Sequence, residues 1–94
     1  MRRIEPTNSF KRDYKRELKG KHKSVLVGGE FAELLQQLAD EQPLAERLRD
    51  HALTGQWSDH RDCHIKPDLV LIYRKPDEAT LQLVRMGSHS ELGL

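Results

Sequence analysis

Apolar side chains return along this chain at two different periods, and the change from one to the other divides it in two. Phe10, Tyr14 and Leu18 recur at four-residue steps, a narrow stripe on a helix that Thr7, Asn8 and Ser9 can cap and that ends near Gly20. Phe31, Leu34, Leu35 and Leu38 follow the i, i+3, i+4, i+7 pattern of a second helix with one buried face. Between them Val25, Leu26 and Val27 run into Gly28 and Gly29. Each glycine costs about 1 kcal/mol against alanine inside a helix, so a break or bend is expected there. Leu69 to Tyr73 is a continuous apolar run, the pattern of a central strand covered on both faces. Ala79, Leu81 and Leu83 then alternate with Thr80 and Gln82 along a last strand.

The connecting segments fill in the order. RRIEP reads as a short edge strand ended by Pro6. Gln42 and Pro43 close the second helix, LAERLRDHAL adds one short turn, and Thr54 with Gly55 turns the chain. Trp57 to Cys63 is expected as a polar strand, Lys66 and Pro67 as a tight connection, and RKPDE as a hairpin turn. The whole predicts one α+β domain over residues 1–94, with two N-terminal helices packed on a small, mostly antiparallel sheet.

Composition narrows the classes of function. At 94 residues there is room for one modest core, so function must sit on the surface of a single fold. The formal charge of +1 hides an asymmetry: residues 1–23 carry nine Lys or Arg against three acids, and residues 30–50 carry six acids against Arg47 and Arg49. A basic end suggests a polyanionic partner. Cys63 is the sole cysteine, which excludes an internal disulfide and a cysteine-based zinc site and fits a reducing cytoplasm. No apolar run approaches a membrane span, and MRRIEPTNSF lacks the apolar centre of a signal peptide, so soluble partners and no membrane are expected.

The chemistry is concentrated in HALTGQWSDHRDCHIKPD, from His51 to Asp68, and in RMGSHSEL, from Arg85 to Leu92. These segments hold four of the five histidines. His60 and His64 have the spacing of helical metal chelators, but in a strand four residues span about 13 Å, so the two cannot share an ion. No metal or cofactor is expected. Alternation puts Asp62 and His64 on one face, with Arg61 and Cys63 on the other. Hairpin pairing can return Arg85 and His89 to the end of the sheet where His64 and Asp68 leave it, with His51 arriving from the preceding loop. Such a group can remove one proton, donate another and hold an anion on Arg85. RNA cleavage by its own 2′-hydroxyl needs just these roles. His22 and His60 stand outside the converging set, and Trp57 and Tyr73 are expected in the core.

These same residues carry a family resemblance. DHALTGQWSDHRDCHIKPDLVLIY followed by LVRMGSHSEL resembles the YafQ branch of the RelE/ParE toxin superfamily, the toxin half of bacterial type II toxin–antitoxin pairs. The match runs from His51 through Leu53, Gly55, Trp57, Arg61, Asp62, His64, Asp68 and Tyr73 to Arg85, Gly87 and His89, and in the N-terminal half it is a likeness of helical layout only. The resemblance implies the RelE-like microbial RNase fold and a ribosome-dependent, metal-independent mRNA endonuclease acting in the A site. It implies catalytic roles for His51, His64, Asp68 and His89, with Asp62 in the same cluster and Arg85 on the phosphate. It further implies that Lys11, Arg12, Lys15, Arg16 and Lys19 of the basic helix lie on ribosomal RNA, and that a cognate antitoxin, with a ribbon-helix-helix DNA-binding domain, wraps the toxin. Where many relatives place an aromatic residue after the final Ser-His-x-x-Leu, this chain has Gly93 and Leu94.

Two other functions fit the same fold. One is a toxin resembling the ParE branch, which inhibits DNA gyrase by binding alone; such a binder has no chemical reason to assemble the histidines and aspartates. The other is a plain RNA- or partner-binding module that works through its basic helix.

Overall fold

The structure is a computed structural model that describes all of residues 1–94. Five strands form one mixed sheet: β1 (Arg3–Pro6), β2 (His51–Ala52), β3 (Arg61–Lys66), β4 (Leu69–Asp77) and β5 (Thr80–Gly87), in the order β1-β5-β4-β3-β2. Only β1 runs parallel to its neighbour; the other pairs are antiparallel. Against one face lie α1 (Asn8–Leu18), α2 (Lys23–Val27) and α3 (Glu30–Ala39), and α4 (His89–Leu92) follows β5. No helix is long and apolar enough to cross a membrane.

The expected break falls where the glycines are. Gly28 ends α2, and Gly29, at φ +96°, turns the chain into α3, so the N-terminal half holds three helices where two were expected. Thr7 caps α1 by accepting the Phe10 N–H at 3.1 Å. Phe10, Tyr14 and Phe31 then meet with ring centroids 6.0 to 6.2 Å apart, joining α1 to α3 over the sheet.

Two expectations about the strands are corrected. Gly55–Trp57 is a 3-10 turn, and the polar strand begins only at Arg61, because Gly55 and Asp59 both take positive φ and bend the segment between them. RKPD is not the hairpin turn but the end of β4; the turn is at Glu78 and Ala79, where the Asp77 carboxylate accepts the Ala79 N–H at 2.8 Å. Pro76 is tolerated because β3 pairs no further than Tyr73 and the β4–β5 register skips from Arg74↔Gln82 to Asp77↔Thr80, so no ladder bond is asked of it.

Strand β4 is covered on both sides, as its apolar run predicts. Leu69, Leu71 and Tyr73 enter the main core beneath the helices, while Val70 and Ile72 join Leu92 in a smaller cluster on the opposite face, flanked by Leu53, Trp57 and Val84. The candidate site lies on that second face.

Beyond β1, the open side of β5 is completed by other groups. Thr7 donates through its backbone N–H to the Leu83 carbonyl and through its hydroxyl to that of Val84, both at 3.0 Å. Further along, Asp13 of α1 accepts the Met86 N–H at 3.0 Å and Arg16 donates to the Met86 carbonyl at 2.9 Å.

Candidate active site

Register builds the site from the sheet outward. His51 stands directly opposite Asp62 in the β2–β3 pair, and His64 lies two residues further along β3, opposite Val70. Alternation therefore puts Asp62 and His64 on the face away from α1, α2 and α3, while Cys63 is buried in the main core. His89 comes from α4, whose first turn is fixed by a capping box: Ser88 Oγ accepts the Glu91 N–H at 3.1 Å and Glu91 accepts the Ser88 N–H at 2.8 Å. Leu92, buried with Val70 and Ile72, seats the other side of that turn.

Three imidazoles converge. His64 is central, with ring centroids 5.0 Å from His89 and 6.2 Å from His51. One oxygen of Asp68, in the β3–β4 turn, meets both the backbone N–H and the Nδ1 of His89. Those hydrogen bonds hold the Asp68 carboxyl below its ordinary range. They also leave His89 Nε2 as the free ring nitrogen.

His51 is oriented differently. Its Nδ1 lies 2.7 Å from the Arg49 carbonyl and 3.0 Å from Asp62 Oδ1. The contact with the carbonyl has hydrogen-bond geometry and takes the Nδ1 proton, so Asp62 Oδ1, in a residue only 2% exposed, is left without a hydrogen-bond partner. Burial raises the Asp62 pKa, and the charges of His51, His64 and His89 oppose that rise only in part. Burial also lowers the His64 pKa; Asp62 acts the other way, and His89, His51 and Arg49 reinforce the depression. The result is a neutral central imidazole beside one tied to a carboxylate, an arrangement suited to taking a proton at one point and giving one at another.

The sequence-derived candidates thus separate into two groups. His51, Asp62, His64, Asp68 and His89 come together. Arg85 does not join them by any hydrogen bond: its Nε and Nη2 donate to Asp13 at 2.6 and 3.3 Å. Arg16 also donates to Asp13, at 2.8 Å. Burial works to raise the Asp13 pKa, but the bonds from Arg85, Met86 and Arg16 prevail and lower it. Lys11 and Lys15 border an apolar groove formed with Phe10, Tyr14, Phe31 and Leu35, Arg12 is exposed on α1, and Lys19 is exposed at its C-terminal cap. His60 packs edge-on against Trp57, and His22 precedes α2; neither touches the three site histidines.

A cavity of about 630 Å³ opens at His64 and His89, and its cations are Arg47, Arg49 and Lys66. None of these was singled out for the site from the sequence. Arg49 reaches it because it takes a left-handed conformation, φ +48°, after the 3-10 turn at Glu46–Leu48, and no repeat of apolar residues marks such a turn. A second anchor lies beneath: Asp50 accepts hydrogen bonds from the Tyr73 hydroxyl and from Arg61, whose Nη2 is at 3.2 Å, fixing the residue before His51 to β3 and β4. No three His, Cys, Asp or Glu side chains lie close enough to ligate a metal ion.

Comparison with known proteins gives the family of the chain and matches its fold. Residues 2–93 match the family described as the bacterial toxin of type II toxin–antitoxin system, YafQ. A Haemophilus influenzae protein bearing the YafQ toxin name is 39% identical over 74 residues, which cover 76% of this chain and 72% of that protein. The Escherichia coli K12 mRNA interferase toxin YafQ is 42% identical over 50 residues, 53% of either chain. Among solved structures, a copper-bound mutant toxin from Helicobacter pylori superposes with a TM-score of 0.82 at 42% identity, covering 98% of this chain and 99% of that one. The toxin of the E. coli DinJ–YafQ complex does so with a TM-score of 0.80 at 33% identity, covering 98% of each chain. This chain belongs to the YafQ family of bacterial type II toxin–antitoxin toxins.

Proposed function

We propose that residues 1–94 act as one toxin domain, an endoribonuclease that cuts mRNA held in the ribosomal A site in the bacterial cytoplasm, without a metal. The observation that carries this reading is the convergence of His51, His64 and His89, with Asp68 bonded to His89. In the proposed reaction neutral His64 removes the proton of a ribose 2′-hydroxyl, and the 2′ oxygen attacks the adjacent phosphorus. The phosphorus–O5′ bond breaks, and His89, oriented by its contact with Asp68, gives a proton to the departing O5′. The products are a 2′,3′-cyclic phosphate and a free 5′-hydroxyl. Each proton-transfer role contributes roughly 10²–10⁴-fold.

His51 and Arg49 supply positive charge to the crowded phosphorane, the place given to Arg85 by the sequence alone. The buried Asp62 carboxylate lies beside His51 and opposes the depression of the His64 pKa. A cognate antitoxin with a ribbon-helix-helix DNA-binding domain is the proposed partner, supported by the DinJ-bound relative. The exposed cations of α1 would lie on ribosomal RNA.

Induction of the chain in bacteria, with primer extension on a reporter mRNA made translatable or not, tests the proposal. Codon-phased cuts that need translation, lost in His64→Ala and His89→Ala while ribosome binding persists, are expected. Intact message with arrested DNA replication would instead point to gyrase inhibition.

A further inference from the structure

The cavity at the histidines does not end at Lys66 and Pro67. These two residues also line a second cavity, of about 550 Å³, which continues to Lys21, His22 and the start of α2. Each is large enough for a nucleotide, within the ~300–1,000 Å³ usual for ligand pockets. Two of the cations along the way are held in place. Glu30 Oε1 holds Lys66 at 3.3 Å and Arg47 at 3.9 Å, at the boundary between the cavities. Lys21 lines the second cavity together with Lys66 and Pro67, so the α1–α2 loop runs alongside the β3–β4 turn.

We propose that this double cavity is the track of the RNA strand on one side of the cut, with Lys66 and then Lys21 binding the backbone phosphates next to the scissile one. The proposal rests on the nuclease reading above and adds to it a direction along the surface. A single strand following successive cations gains affinity by neutralising phosphates, and each such contact contributes about 0.7 to the slope of log affinity against log salt. Neither cavity reaches Trp57, His60 or Arg85. Phosphate contacts are therefore one-sided.

The test uses the full chain with ribosomes programmed by synthetic mRNAs in which a single phosphate is replaced by a neutral methylphosphonate, one or two nucleotides to either side of the cut. On one side only, the neutral linkage should raise the half-saturating toxin concentration about fivefold, leaving the maximal rate within about twofold. Lys66→Ala or Lys21→Ala should cause a similar loss on the normal message, and little further loss on the neutral-linkage message that removes its partner. Lys75→Ala, which removes the same charge from a site paired with Glu41, controls for net charge and should change neither value. Strictly additive losses, or equal sensitivity on both sides of the cut, would overturn the track. If the unmodified chain leaves every message uncut, the nuclease reading itself fails, an outcome distinct from cleavage with the wrong pattern of sensitivity.

Discussion

A single carboxylate oxygen of Asp68 faces both the backbone N–H and the Nδ1 of His89, at 3.0 and 2.9 Å. The first contact places the start of α4 and the second sets the ring, so the position and the tautomer of His89 share one cause.

Asp68→Asn keeps the shape of that contact and removes its charge. Single-turnover cleavage on programmed ribosomes should slow by about 10²-fold with the half-saturating toxin concentration nearly unchanged. A shift in half-saturation at an intact maximal rate would separate Asp68 from proton transfer.

The pH dependence follows from His64 and Asp62. Burial holds His64 below the ordinary imidazole range, so its basic form persists below about pH 6.5, and the rising limb of kcat/KM should lie on the acid side of that value. The Asp62 charge opposes the depression, so Asp62→Asn should move the limb further to acid. A limb above pH 6.5, or a move to alkaline pH in that variant, would remove His64 as the base.

Asp62→Asn should also change stability in the opposite sense to activity. A raised carboxyl pKa means that the stability contribution is full below the unfolded value of 3.8 and is lost as pH rises through the folded value. At neutral pH the ionised group is therefore a burden, and the amide variant should melt several degrees higher while cleaving more slowly. Calorimetry beside the cleavage assay decides it.

Asp13 behaves in the reverse way. Its pKa is lowered on balance, so its contribution is present above pH 3.8 and lost as pH falls through the folded value. Asp13→Ala leaves Arg85 and the Met86 N–H without their acceptor and should cost about 3 kcal/mol in urea unfolding at pH 7. The gap to the wild type should close under acid conditions; a gap that does not vary with pH would mean packing, not charge, is what Asp13 supplies.

Much of this was legible from local pattern. Alternation placed Asp62 with His64, and the paired glycines marked the break before α3, because strand and helix periods are properties of neighbouring residues. What escaped depends on distant ones. Asp13 and Arg85 are 72 positions apart, and no period links them. Arg49 enters the site through a left-handed turn, and Lys66 through the register shift between His64 and Lys66 in the β3–β4 pair. The family resemblance named the histidines; it said nothing of those cations.

The way β5 is finished has a consequence for how this sheet meets other chains. An uncovered strand presents a row of donors and acceptors on which a foreign strand can assemble. Here β1, Thr7, Asp13 and Arg16 take up that row in turn, and the opposite border, β2, is two residues long. The α1 side chains thus do the work of a missing strand, and a toxin built on an open sheet is protected from growing by sheet extension at β5.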